Sequence, residues 1–422
     1  MKDTKTNMPR LSATAKATAG SNRIDTAKRW LEENYVLREN ALELTPMPTV
    51  EMSSRNPHRD EWKHALSERD IFLHAQEDEV AVSRSVLRTL LESPNYMPRE
   101  IYNPIADYFE NLKGKYSGPS QIDLLVRSLH TVDDDRERTR WLFRKWLTAT
   151  VACTLGLRQN DVALGLVSTE AGIGKTTFFE EIVPPQLRDY YQCVLKGDTA
   201  FLPTHGFATR LLLNFDELAA VTQASEDQFK QLLSSSSLPV RMRGSYRVET
   251  VPRMASVCFT SNRTAAQGGF IRSADLGILR RLAVIEVTAI DDYRSQLDTD
   301  QLWAEVMLLL SQGDYEWTQD DFRRFSRENL KYVATTNAMR LMKLWFRQPQ
   351  EGDTDADIRF MTAADIVLLL QHERKITSVL QRVDEVSVGR ALMTLGYRRY
   401  GRRLPDVGVR YGYDVVPLFG KT

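Results

Sequence analysis

Apolar positions fall into three regimes along the chain. Between 81 and 93, Val82, Val86, Leu87, Leu90 and Leu91 recur at helical spacing, and through 137–155 Trp141, Phe143, Trp146, Leu147 and Val151 do the same. From 161 to 290 the period changes. Short β-rich runs, VALGLVS (162–168), QCVLKG (192–197), RLLLNFDE (210–217), MASVCFTSN (254–262) and LAVIEVT (282–288), alternate with helical segments. That alternation predicts an α/β core with a parallel sheet and crossover helices. Helices are predicted again over 299–312 and 325–348, and EGDTDAD (351–357) reads as a linker. Beyond it, helices at 362–370 and 387–397 precede two extended arms, a winged-helix-like pattern. Residues 1–22, with almost no large apolar side chains, are expected to be a flexible tail. The resulting division is 23–100 (an N-terminal region without a chemical motif), 101–160 (mostly helical), 161–350 (core), 351–357 (linker) and 358–422 (winged-helix-like domain).

Composition narrows this picture only slightly. The chain has 422 residues, 42% apolar and 27% charged, with equal numbers of acidic and basic side chains, as in a soluble globular protein of two or three domains. No apolar run approaches the ~20 residues of a membrane span, and no signal peptide is evident, so a cytoplasmic protein without a membrane partner is expected. Cys153, Cys193 and Cys258 stand alone, and His58, His64 and His74 have no metal-ligand spacing. Asp133 to Asp135 precede a helical run, where negative charge suits a cap better than a metal site.

The candidate chemistry lies in STEAGIGKTTFF (168–179), between a predicted strand and a helix. This is the context of a P-loop. Gly172, Ile173 and Gly174 would let backbone N–H groups curl around phosphates, Lys175 would place its charge there, and Thr176 and Thr177 would open the helix. Thr169 stands where the motif usually has its first Gly. The run LLLNFDEL (211–218) has the form of a Walker B strand, in which Asp216 and Thr176 would hold Mg²⁺ and Glu217 would activate water. Asn262, at the end of ASVCFTSN, is expected to hold that water opposite the γ-phosphate. ATP with Mg²⁺ is therefore the expected ligand.

Two further segments suit nucleic acid. Extended arms flank Gly244-Ser245 in LPVRMRGSYRVETVPR (238–253), which predicts a β-hairpin carrying Arg241, Arg243, Tyr246 and Arg247 at its tip. Arginines with an aromatic ring suit phosphate and base stacking on a single strand. In the C-terminal unit Arg390, Arg398, Arg399, Arg402 and Arg403 give a basic helix and wing suited to duplex DNA.

From Tyr102 to Trp303 the chain carries, in order, YNPIADY (102–108), RKWL (144–147), AGIGKTTF (171–178), FDEL (215–218), RGSYR and VPR (243–247, 251–253), FTSN (259–262) and Arg280-Arg281. This order of motifs resembles the virulence-associated protein E family, P-loop proteins related to superfamily 3 helicases and the wider AAA+ group. Leu282 and Ala283 depart from the aromatic pair usual after those arginines. The resemblance implies an AAA+-like core, a homo-oligomeric, hexameric ring, and a site completed in trans by Arg280 or Arg281. It also implies a hairpin that projects into the ring channel onto single-stranded DNA. A DNA translocase or helicase acting in replication of a mobile element or phage is then expected. The alternatives are an ATP-gated initiator or assembly protein that unwinds nothing, and a protein remodeller.

Overall fold

The computed structural model describes residues 13–45, 47–56, 66–195, 204–218, 223–241, 248–271, 276–374, 383–404 and 408–418. The N-terminal region comprises α1 (Ala13–Asn34), β1 (Tyr35–Asn40), β2 (Thr49–Met52), α2 (Glu68–Glu77), α3 (Arg84–Glu92) and β3 (Glu100–Tyr102). Its three strands form a sheet in the order β2-β1-β3 over a separate core of Trp30, Leu31, Leu37, Ile71, Leu87 and Leu91. Residues 13–22, expected in a tail, are helical backbone continuous with α1. Residues 1–12 lie outside the described chain, as do His58 and His64. His74 has its Nδ1 at 2.8 Å from the Tyr35 hydroxyl.

The middle of the chain runs α4 (Pro104–Leu112), α5 (Gln121–Ser128), β4 (Leu129–Thr131), α6 (Arg136–Thr154), β5 (Ala163–Val167), α7 (Lys175–Glu181), β6 (Tyr191–Val194), α8 (Thr204–Thr209) and β7 (Leu212–Phe215). It continues with α9 (Gln223–Ser234), β8 (Ser237–Arg241), β9 (Val248–Pro252), β10 (Ser256–Ser261), α10 (Leu276–Leu279), β11 (Leu282–Ile290), α11 (Thr299–Ser311) and α12 (Gln319–Glu328). Asp135 caps α6, its side chain accepting the Arg138 N–H at 2.9 Å, as the acidic run suggested.

Six strands form one sheet in the order β4-β11-β5-β10-β7-β6. All pairs are parallel except β4 with β11. Both faces are covered, so the central strands are mostly apolar on both sides rather than alternating with exposed polar residues; the polar side chains within them, Asn214 in β7 and Ser256, Thr260 and Ser261 in β10, are themselves buried. Leu164, Leu166, Leu212, Cys258 and Ile285 face a helical layer built on Phe143, Trp146, Phe178, Phe179 and Trp303. The intervening Ala163, Val167, Leu213, Phe259 and Val284 face Phe207, Phe229, Ile278 and Tyr332. Gly165 in β5 makes room for a neighbour: a Cβ there would lie 2.0 Å from Cζ of Phe259. The edge strand β4, three residues long, carries no pattern that distinguishes it in the sequence.

The C-terminal unit begins earlier than the linker at 351–357 suggested. The segment expected as one helix over 325–348 breaks into α12, a short 3-10 turn (Asn329–Tyr332) and α13 (Asn337–Trp345). Ala338, Met339, Leu341 and Met342 of α13 pack with Ile366, Leu370, Val388, Leu392 and Val415. Strand β12 (Phe346–Arg347) follows, and then β13 (Arg359–Met361), α14 (Ala363–Arg374), α15 (Glu385–Thr394), β14 (Arg399–Leu404) and β15 (Gly408–Pro417). Strands β12, β13 and β14 all pair antiparallel with β15. The expected linker is clasped rather than loose, because Arg347 donates to both carboxylate oxygens of Asp353 at 2.5 and 2.7 Å.

Candidate nucleotide site

Strand β5 is buried at all five positions and ends in the loop 168–174, after which α7 opens at Lys175. Gly172 and Gly174 adopt φ of +79° and +91°, a region where an L side chain is strained. A Cβ at either would meet no atom within 4 Å, so the loop borders open space. The Lys175 ammonium, on a residue only 6% exposed, donates to the Glu170 carbonyl and to Oδ1 of Asn262, both at 2.8 Å. Burial pushes its pKa down, and the carboxylates of Glu217, Asp216 and Glu170 pull the other way. Ile173 is half-buried against the helical core layer, and Thr177 is half-buried one position beyond Thr176.

Asp216 and Glu217 follow β7 directly. Oδ1 of Asp216 accepts from the Thr176 hydroxyl at 2.8 Å and the Thr260 hydroxyl at 2.7 Å. Glu217 has φ of +59°, an uncommon conformation for a residue with a Cβ and one that concentrates at functional sites. Its N–H donates to Oγ1 of Thr260 at 3.2 Å. Its carboxylate accepts the Asn262 N–H at 3.1 Å and the Ser261 hydroxyl at 3.3 Å. Because β10 lies between β5 and β7, its end carries Thr260, Ser261 and Asn262 into the gap between Lys175 and the two carboxylates. Thr260 and Ser261 stood in the sequence only as part of FTSN, with no role assigned to either. The available signal was polar residues ending an otherwise apolar strand.

The arginine pair is elsewhere. Arg281 precedes β11 and accepts the Ala163 N–H on its carbonyl at 2.8 Å, at the start of β5 rather than its end. A five-residue strand separates that end of the sheet from the glycine loop by roughly 16 Å. Arg280 is exposed; Arg281 is 8% exposed and donates to the Gly277 carbonyl at 2.6 Å.

Strands β8 and β9 form the expected hairpin, with Arg241 exposed and opposite Val248. Arg243, Tyr246 and Arg247 lie outside the described residues. C-terminal arginines line two grooves. Arg399 lines a groove of about 640 Å³ with Arg390, Arg410 and Tyr411, whereas Arg398 lines a second groove beside Tyr397 and Asp414. Arg402 sits opposite Arg410 across the hairpin and over the Phe360 ring at 5.7 Å. Arg403 is exposed one residue further on.

A model of the virulence-associated protein E-like domain matches residues 110–335, more than half of the chain. The chain belongs to this family. The matched span of the virulence-associated protein E-like domain contains the glycine loop, the Asp216–Glu217 strand end, the hairpin and the arginine pair, and stops short of α13. None of the curated proteins matches. Among solved structures, the A-form apo C-terminal region of NrS-1 aligns at 10% identity over 93% of this chain and 98% of that one, with a TM-score of 0.45. A second apo structure of that region aligns at 11% identity over 94% and 99%, with a TM-score of 0.44. These likenesses are too distant to bear on activity. No His/Cys/Asp/Glu cluster suited to a metal ion occurs among the described residues, and none of their helices is long and apolar enough to cross a membrane.

Proposed function

We propose that this protein is an ATP-hydrolysing DNA translocase of the superfamily 3 type, working as a homo-oligomeric ring in the replication of a mobile element or phage. One observation carries the reading: Lys175, Thr176, Asp216, Glu217 and Asn262 join in a single hydrogen-bonded network at the ends of β5, β10 and β7. Lys175 is preorganised for an anion, with its two present acceptors standing where phosphate oxygens would compete. The open cradle at Gly172 and Gly174 fits a phosphate chain. Thr176 and Asp216 supply the hydroxyl–carboxylate pair that would hold Mg²⁺, which would neutralise charge between the terminal phosphates when bound. Glu217 takes the proton of the attacking water, and Asn262 orients that water.

The strand order supports an AAA+-like core, and the order α13, β13, α14, α15, β14, β15 supports a winged-helix-like domain. Because Arg280 and Arg281 lie at the far end of their own sheet, they suit a neighbour's site rather than their own. The hairpin suits single-stranded DNA, and the groove lined by Arg390, Arg399 and Arg410 suits duplex phosphates.

The test is ATP turnover with and without a single-stranded oligonucleotide for the native chain, Lys175→Ala and Arg241→Ala. The expected result is DNA-stimulated turnover, absent in Lys175→Ala and unstimulated in Arg241→Ala. Turnover that needs Lys175 but ignores DNA would replace the motor with an ATP-gated assembly protein or a remodeller.

A further inference from the structure

One hydroxyl in the nucleotide network has no part in the chemistry proposed above, yet both residues of the Asp-Glu pair meet on it. Thr260 belongs to β10, whose register sets Phe259 beside Phe215 of β7 and Thr260 beside Leu166 of β5. One step past the Phe259–Phe215 pair, Thr260 is level with Asp216, the residue that follows β7. Alternation along β10 puts Thr260 on the same face as Cys258, toward the helical layer that includes α7. The residue is 3% exposed, so its hydroxyl has to find its partners within the protein.

A threonine hydroxyl has a single hydrogen to give and lone pairs with which to accept. Here the hydrogen goes to Oδ1 of Asp216 at 2.7 Å, a length typical of a bond to an ionised carboxylate. The same oxygen accepts the Glu217 N–H at 3.2 Å. Thr260 thus touches Asp216 through its side chain and Glu217 through its main chain. The second contact falls where the backbone is strained. Glu217 holds φ at +59°, a conformation costly for a residue with a Cβ and kept only where the surroundings determine it. The N–H just before that turn, on Asp216, is already fixed by the Val194 carbonyl at 3.1 Å. Thr260 supplies the acceptor for the turn itself. Branching at Cβ leaves threonine few χ1 settings, so this hydroxyl is held in place before any ligand arrives.

We propose that Thr260 is a positioning residue for ATP hydrolysis, whose one hydroxyl sets the carboxylate of Asp216 and the left-handed turn of Glu217 in a fixed relation to each other. The inference rests on the proposed hydrolytic role of that pair and adds a residue which the role does not name. Thr260 acts through its two neighbours. Without the hydroxyl, the Glu217 N–H loses its acceptor and Oδ1 of Asp216 keeps only Thr176. The strained turn then relaxes toward the right-handed region, which draws the Glu217 carboxylate off the Ser261 hydroxyl and the Asn262 N–H. Glu217 leaves the place from which it takes the proton of water, and Asp216, tied on one side only, holds Mg²⁺ less well.

The experiment measures kcat at saturating ATP and Mg²⁺, and the affinity of a fluorescent ATP analogue in Mg²⁺ and in EDTA, for the native chain, Thr260→Val, Thr260→Ser, Glu217→Gln and Lys175→Ala. Thr260→Val keeps the shape and removes the hydroxyl; it is expected to lower kcat about 10- to 100-fold, the scale of a small misplacement of a reacting group. Its analogue affinity should stay within about twofold of native in EDTA, while the gain that Mg²⁺ brings shrinks about tenfold, as when a metal ligand loses its supporting hydrogen bond. A merely structural role would weaken both affinities alike. Thr260→Ser restores the hydroxyl and should keep kcat within about threefold of native. Added to Glu217→Gln, Thr260→Val should cost less than about threefold more in kcat, because both act through one carboxylate. A native kcat in Thr260→Val, an equal loss in Thr260→Ser, equal weakening in Mg²⁺ and EDTA, or losses that multiply in the double variant would overturn the proposal. Should Thr260→Val fail to fold by thermal melting, Thr260→Ala removes the hydroxyl without setting a methyl group beside the carboxylate and is held to the same outcomes. Lys175→Ala separates the two readings: retained turnover there sinks the hydrolytic site itself, whereas a dead Lys175→Ala with a normal Thr260→Val sinks only the positioning role.

Discussion

The two ends of the central sheet are built from similar residue types to opposite purposes. At the ends of β5, β10 and β7, charged and hydroxyl side chains bond to one another beside open space, as in Lys175 with Asn262 and Asp216 with Thr176 and Thr260. At the opposite end of the sheet Arg253 and Arg281 are buried and bonded to main-chain carbonyls, Arg253 to those of Asn160, Leu232, Leu233 and Ala255 and Arg281 to that of Gly277. The first arrangement can exchange its partners for a ligand. The second cannot without exposing buried carbonyls, so it fixes where strands, hairpin and arginine pair stand. The difference follows from parallel topology, which gathers all strand-end loops on one side and all strand-start loops on the other.

The comparison is broken most severely if the buried end does chemistry on its own subunit. Arg280→Ala is expected to lower kcat by about 10³-fold or more, the scale of an arginine supplied to a transferring phosphoryl group. Mixing it with Lys175→Ala should restore part of the turnover, since each subunit then keeps the half the other lacks. No recovery on mixing would place the arginine in its own subunit's site and contradict the separation along β5.

At the open end, Glu217→Gln is expected to lower kcat by about 10²–10⁴-fold while a fluorescent ATP analogue still binds. The substitution keeps size and loses charge, so the bonds from Ser261 and the Asn262 N–H persist in weaker form. Turnover within about tenfold of native would show that another group takes the proton.

How much of this was legible in the sequence differs between the two ends for a physical reason. The open end is written locally: a glycine loop after an apolar run, and an Asp-Glu after another, name Lys175, Thr176, Asp216 and Glu217. Asn262 was legible as a strand-end polar residue, but Thr260 and Ser261 became meaningful only once β10 was inserted between β5 and β7, a fact of topology rather than periodicity. The buried end is written non-locally. Arg253 was legible as part of VPR, but three of its four carbonyl partners, Asn160, Leu232 and Leu233, come from two distant segments, and nothing near it in sequence announces burial. The same holds for α13, whose apolar face is equally compatible with either neighbouring core until Met339 and Met342 are seen against Leu392 and Val415.

The sharpest stability contrast between the ends is Arg253→Ala. It strips buried carbonyls of a donor and is expected to cost about 3 kcal/mol, read from denaturant unfolding. A cost below about 0.5 kcal/mol, the range of an ordinary surface change, would mean that the buried end does not hold the strand starts.

The smallest expected effect concerns the buttress behind that end. Trp317 donates from Nε1 to Oδ1 of Asn160 at 2.9 Å and lies under the Lys145 ammonium, which pairs with Asp321 at 2.9 Å. Burial alone would raise the pKa of Asp321, but the Thr318 N–H and hydroxyl together with Lys145 outweigh it and hold it below the ordinary carboxylate value. The unfolded chain therefore takes up this proton before the folded one. The stabilisation is complete above the ordinary Asp pKa of about 3.9 and is lost as pH falls through the lower folded value. Thermal melts between about pH 3 and pH 6 should show a steeper acid loss for the native chain than for Asp321→Asn, with a gap of about 1 kcal/mol at the upper end, the scale of one helix cap. Parallel acid limbs would mean that Asp321 does not couple Lys145 to the foot of β5, and the buttress would then rest on Trp317 alone.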